Sequence, residues 1–91
     1  MDQVIDNRDE NRFELALPGG MALIAYRIEG ERIVLIHTEE PQALAGQGVG
    51  SRLAKGAFEL IRTSGRKAVP RCEFVQGWLA KHPEYHDLID G

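Results

Sequence analysis

The chain has one cysteine, Cys72, so it cannot close an internal disulfide, and a fold stapled by such bridges is excluded. A lone thiol suits a reducing compartment, and a cytoplasmic location is expected. No apolar run approaches the roughly 20 residues that a membrane-crossing helix needs, and no leading segment has the basic, apolar and small-residue parts of a signal peptide. A membrane role is not expected. Lys and Arg number 11 against 14 Asp and Glu, and they form no tract or stripe that could follow a phosphate backbone. Nucleic acid is therefore excluded as the main ligand. Internal repeats, low-complexity tracts and linkers are also missing, and 91 residues supply one core without a separate regulatory module. We expect a single domain over residues 1–91.

What is present begins with two short extended segments. Residues 4–7 are briefly apolar, and residues 12–17 alternate, with Phe13, Leu15 and Leu17 on one side and Arg12 and Glu14 on the other. The polar, Asx-rich stretch from Asp6 to Asn11 joins them as a turn, because short polar side chains there bond their own backbone. Residues 21–29 and 32–38 are apolar on both faces for most of their length and read as a central hairpin covered on both sides. Pro41 ends the second of these strands, since proline cannot donate to a ladder. Further on, Val49, Leu53, Ala57, Leu60 and Ile61 recur at helical spacing, which predicts an amphipathic helix to about Ser64 with Gly65 as its stop. A short extended piece over 68–71 follows. Phe74, Val75, Trp78 and Leu79 then restart a helical period that stops at Pro83.

The segment that says most about function is Ala45-Gly46-Gln47-Gly48-Val49-Gly50-Ser51, set where the last hairpin strand gives way to the long helix. Glycines let backbone N–H groups approach an anion with no Cβ in the way, and the helix N-terminus adds free donors and the positive end of its dipole. This is an arrangement for cradling phosphate. It is not a P-loop, because the Gly-Lys-Ser/Thr ending is missing.

Strand, Gly-x-Gly loop, helix and further strand together resemble the acetyl-CoA-binding core of the GCN5-related N-acetyltransferases (GNAT). Gln47-Gly48-Val49-Gly50 resembles the end of that superfamily's Arg/Gln-x-x-Gly-x-Gly/Ala signature. His37-Thr38-Glu39, the glycine loop, the block from Pro70 to Val75 and His82-Pro83-Glu84-Tyr85, in this order, resemble the very small GNAT-like proteins of the YjdJ type. The resemblance covers essentially the whole chain. It implies a minimal GNAT-like α/β fold with a mostly antiparallel sheet: four strands, a helix, a parallel fifth strand and a C-terminal helix. It also implies acetyl-CoA as cosubstrate and an amine acceptor. The pantetheine arm would lie where the strand carrying Ile36 and Thr38 splays from the strand near Val69, close to Cys72, with the pyrophosphate on the N–H groups of Gly46, Gln47, Gly48, Val49, Gly50 and Ser51. Three positions depart from the family. Ala45 stands where the signature has Arg or Gln, and Cys72 and Leu79 stand where full-length members have an Asn opening the last helix and a proton-donating Tyr.

Acetyl transfer needs a neutral amine, donors for the developing oxyanion and a proton for the departing thiolate. His37, placed by alternation on the face of Ile33 and Leu35, is the first candidate base, and Glu39 is the second, acting through water. The alternative is a satisfied structural histidine beside a solvated glutamate. Cys72 would open the last helix, where the dipole and Arg71 favour a thiolate, and could donate a proton, relay one, or carry acetyl; it could equally be a small buried hydrophobe. Tyr85 either replaces the missing acid or anchors the C-terminal turn by its ring. Arg52, Lys55, Arg66 and Lys67 are candidates for the 3′-phosphate of CoA, or an ordinary solvated face. His82 and His86 have the spacing of a metal pair, but no His-Glu-x-x-His motif accompanies them and no metal is expected. Glu39 and Glu40 near the cleft favour a cationic acceptor, whether a small amine, a polyamine or a protein lysine. A non-catalytic CoA-binding or protein-interaction module with the same fold is the second reading. The oligomeric state is open.

Overall fold

Alternation sorts the second strand as expected, burying Phe13 and Leu15 and leaving Ala16 exposed. The computed structural model describes residues 3–90. Its sheet is built from β1 (Ile5–Asn7), β2 (Arg12–Leu17), β3 (Gly20–Glu29), β4 (Arg32–Glu39) and β5 (Lys67–Pro70), in that spatial order. The first four strands form an antiparallel meander, and β5 runs parallel to β4. Only a crossover can join parallel neighbours, and α1 (Val49–Ser64) supplies it. α1 ends at Gly65 in the left-handed conformation, whose N–H returns to the Arg62 carbonyl. After β5 come α2 (Glu73–Ala80) and a 3-10 segment (Pro83–Leu88), and a shorter 3-10 turn (Gln42–Leu44) links β4 to α1.

The core lies on one side of the sheet. Val49, Leu53, Ala57, Phe58 and Ile61 of α1 pack with Phe13, Leu15, Ile24, Tyr26, Ile33 and Leu35 beneath them. Val75, Trp78 and Leu79 of α2 and Tyr85 and Leu88 of the last segment join the same cluster. Phe58, wholly buried, stacks on Trp78 at 5.7 Å between ring centroids, a burial that contributes about 2 kcal/mol.

The hairpin of β3 and β4 is therefore not covered by helices on both sides. Every helix among the described residues contributes its buried side chains to the one cluster. Leu23, Val34 and Val69 are buried on the other face, flanked across the strands by Glu14 and Glu39 for Leu23 and by Arg27 for Val34. Apolar residues on both faces of a strand do not distinguish a helix overhead from a roof of neighbouring side chains.

One irregularity governs the site. β3 and β4 pair Tyr26 with Leu35 and then Ala25 with His37, leaving Ile36 as the extra residue of a β-bulge. Beyond it the alternation of β4 is inverted.

Candidate active site

The parallel ladder ends at Leu35 and Pro70, and the Arg71 N–H makes a last bond to the Leu35 carbonyl at 2.9 Å. Pro70 offers no donor of its own, and the chain turns at once into α2. β4 continues through Ile36 to Glu39 with no further β5 partner. The two strands thus part at the end where the glycine segment and the start of α2 also lie.

Inside this gap Thr38 Oγ1 lies 3.2 Å from Cys72 Sγ. Thr38 pairs with Ile24, so it points to the helix-covered face, and Cys72 belongs to the buried cluster there. Cys72 has extended dihedrals at the N-cap of α2, but its side chain caps no helix N–H and meets the Thr38 hydroxyl instead. Gln76 secures the turn, its side-chain amide donating to the Pro70 carbonyl at 2.8 Å.

His37 does not share the face of Ile33 and Leu35, contrary to the expectation from simple alternation. Its partner Ala25 lies between the core residues Ile24 and Tyr26, so the bulge at Ile36 has turned His37 to the opposite, helix-free face, and Glu39 with it. There both side chains are exposed and His37 Nε2 meets Glu39 Oε2 at 2.8 Å. The same face carries Arg12 and Glu14 in the rows across β3. A hydrogen bond from Arg12 holds the Glu14 carboxyl below its ordinary range, with a second bond from the Asn7 amide at 2.9 Å.

At the start of α1, Gly46 and Gly48 hold φ of 82° and 73°, the left-handed region that favours glycine, and space is open where a Cβ would stand on either. Gly48 is the N-cap; no side chain caps the helix and no acidic residue occupies its first turn. Gly50 is buried under the Phe74 ring, whose tip would lie 2.7 Å from a Cβ there. The Ser51 hydroxyl accepts from Trp78 Nε1 at 2.9 Å, tying the start of α1 to the last turn of α2. Between them opens a groove of about 440 Å³ lined by Ser51, Phe74, Trp78, Lys81 and His82. The sequence reading placed Phe74 and Trp78 together on the helical period of α2 and gave Lys81 no role. The available signal was Phe74, a large apolar residue next to a helix start.

Other candidates lie elsewhere. The Tyr85 hydroxyl donates to Glu59 at 2.6 Å, and its ring packs on Phe58 and Trp78. Glu59 is ten positions beyond Val49, about 15 Å along α1, so Tyr85 anchors the C-terminal turn away from the gap. Burial first, then the bond to Glu59, pushes its phenol up to about 12. Leu79 is core. Lys67 Nζ is bonded to the Asp87 carbonyl and Arg66 lines a cleft at the other end of α1, which takes both away from any ligand at the glycine segment. His82 Nδ1 and His86 Nε2 meet the carbonyls of Trp78 and Leu79, and among the described residues no group of His, Cys, Asp and Glu is placed to hold a metal ion.

This geometry has counterparts. Protein NATD1 of Gallus gallus is 34% identical over 84 residues, a span covering 89% of this chain and 76% of that protein. Protein NATD1 of Homo sapiens is 33% identical over 84 residues, covering 89% and 74%. A GCN5-like protein of Staphylococcus aureus, solved in solution by NMR, superposes with a TM-score of 0.74 at 30% identity, covering 98% of this chain and 88% of that one. The model of the GCN5-related N-acetyltransferase family matches residues 12–88. With a sheet that opens between β4 and β5 and an uncapped helix start beside the opening, the chain belongs to the GCN5-related N-acetyltransferases.

Proposed function

We propose that this chain transfers an acetyl group from acetyl-CoA to the amine of a cationic acceptor, in the cytoplasm. The observation that carries this reading is the convergence, at one end of the sheet, of an unpaired β4 edge, the Thr38–Cys72 contact and an uncapped helix start.

The residues fit the cosubstrate. Backbone donors of Gly46 to Ser51 suit a pyrophosphate, since no carboxylate in the first turn of α1 repels it and open space stands where Cβ atoms would crowd it. Main-chain groups of Ile36 to Thr38 suit an amide-bearing arm laid along β4. When bound, acetyl-CoA supplies the activated thioester.

The chain's own groups then divide the work. His37, oriented by Glu39 at 2.8 Å, takes the proton of the acceptor amine on the helix-free face as the N–C bond forms. Backbone N–H groups at the β4 edge stabilise the charge on the carbonyl oxygen. As the C–S bond breaks, the proton for the departing thiolate comes from the Cys72 thiol, which Thr38 positions at 3.2 Å. Glu39 and Glu40, both exposed beside the gap, attract a positively charged acceptor.

A second reading, a CoA-binding or interaction module without chemistry, is favoured by two features. Ala45 is exposed at the position where the family carries Arg or Gln, and Leu79 fills core where a proton donor would stand.

Thermal stability with and without acetyl-CoA tests the site, with Gly48→Glu as control; specific binding at a hundredfold excess over the dissociation constant stabilises by roughly 2.7 kcal/mol. Turnover of a panel of amines by wild type and Cys72→Ala then separates the two readings. Binding with turnover that Cys72→Ala abolishes supports the enzyme. Binding without turnover on any amine establishes the module, and no binding overturns both.

A further inference from the structure

The groove of about 440 Å³ between α1 and α2 opens directly from the glycine segment, since Ser51 belongs to both and the Phe74 ring lies over Gly50. From there it follows one stripe of α2, along which Phe74, Gly77, Trp78 and Lys81 succeed one another at helical spacing. Lys81 stands seven positions beyond Phe74, about 10 Å along the axis. No proton transfer of the proposed reaction takes place here.

Three residues of the groove have no task within the fold. Phe74 is 41% exposed, and its ring pairs with no other aromatic among the described residues. Trp78 beside it is committed, stacked on Phe58 and on His82 and donating to Ser51. Gly77 lies inside α2, where glycine weakens a helix. Its φ is not in the left-handed region, and nothing stands within 4 Å of where a Cβ would be, so neither backbone nor packing requires it. Its effect is to leave a bare strip of helix backbone as the groove floor. The Lys81 ammonium has no ion pair or hydrogen bond among the described residues. The one carboxylate lining the groove, Glu73, is at the other end of α2, beside Phe74.

We propose that this groove takes the nucleotide end of the coenzyme, with the base over Gly77 against Phe74 and the 3′-phosphate on Lys81. The proposal rests on the acetyl-CoA reading above. A pyrophosphate on the N–H groups of Gly46 to Ser51 leaves the nucleotide at the mouth of the groove, because Gly50 and Ser51 are their common border. The volume is within the range of small-molecule sites, about 300–1,000 Å³. A lysine ammonium is a mobile point charge suited to phosphate. Lys81 thus does what the sequence offered to basic residues of α1 and β5: Arg66 and Lys67 lie toward the far end of α1, and Lys55 lines a separate cleft beside Val4. The thioester donor is then CoA itself and not a pantetheine arm borne on a carrier protein, which brings no nucleotide to the groove.

The test is titration calorimetry of the intact protein with CoA, 3′-dephospho-CoA and phosphopantetheine. Wild type is expected to bind CoA about tenfold more tightly than dephospho-CoA, a preference that Lys81→Met abolishes and Lys55→Met keeps. Gly77→Leu fills the groove. It raises the thermal midpoint of the free protein, because leucine outranks glycine in a helix, yet lowers affinity for CoA to that for phosphopantetheine, whose own binding it leaves unchanged. Equal affinity of wild type for CoA and dephospho-CoA overturns the proposal, as does a preference that persists in Lys81→Met or is lost in Lys55→Met. Undiminished CoA binding by Gly77→Leu overturns it as well. In each of these cases CoA still binds and the acetyl-CoA reading stands. Binding of none of the three probes removes that reading and this proposal together.

Discussion

On the proposed reaction, two side chains illustrate how position decides between chemistry and support. Thr38 and Tyr85 both carry hydroxyls, yet Thr38 faces Cys72 in the gap and Tyr85 is spent on Glu59. Replacing Thr38 with Val removes the hydroxyl that positions the thiol while keeping the shape; kcat falls about tenfold with KM for acetyl-CoA unchanged, and Thr38→Ser recovers most of it. Steady-state kinetics on an accepted amine check this, and a change confined to thermal stability would assign Thr38 a purely structural part. Tyr85→Phe gives the reverse pattern: denaturant unfolding shows a loss of about 1 kcal/mol while kcat holds. The glycine segment, Cys72 and Thr38 were legible in the sequence because their placement follows from local signals, a strand end, a helix start and a proline between them. His37 was legible as a residue but not as to its side, since nothing in Ile33-Val34-Leu35-Ile36-His37 announces that Ile36 is skipped by its partner strand.

Element boundaries were legible almost throughout, because prolines, glycines and the 3.6-residue period mark them. The helix expected to end near Ser64 with Gly65 as its stop ends there. What the pattern could not show is how closely elements approach one another. Gly56, in the middle of α1, is a case: a Cβ there would lie 2.6 Å from Val4 Cβ and 2.3 Å from its Cγ2. An alanine raises helix propensity by about 1 kcal/mol but cannot coexist with Val4 in place, and overpacking costs about 1–3 kcal/mol. Gly56→Ala is therefore expected to be destabilised by about 1 kcal/mol net, with hydrogen exchange quickening at β1 and protection in α1 retained. Equal protection across β1 would mean that the N-terminal segment shifts at no cost.

At the scale of the molecule, the radius of gyration of 12.2 Å is that of one packed unit of this length, about 12 Å. Helices and sheet share a single core, so titrations that destabilise one part are read by the whole. Both tyrosines have phenols raised to about 12 in the folded state from an ordinary 10.0. Ionising them therefore disfavours the fold: stability is unaffected below pH 10 and falls as pH climbs through about 12, by on the order of 2 kcal/mol for each phenol. Stability measured by denaturant at rising pH should fall steeply over that window, and Tyr26→Phe or Tyr85→Phe should flatten the slope. On the acid side the Glu14 carboxyl works in the opposite sense. Its contribution is whole above the ordinary 4.5 and fades as pH drops through its depressed folded value. The bulge at Ile36 reaches furthest at this scale. Because it assigns Thr38 to the helix side and His37 to the bare side, the two side chains proposed for the chemistry stand on opposite faces of β4 in that order. On the proposed reaction, the thioester enters from the helix side and the amine from the bare side, so neither blocks the other's approach. On that reaction random-order kinetics are expected, with either substrate free to arrive first.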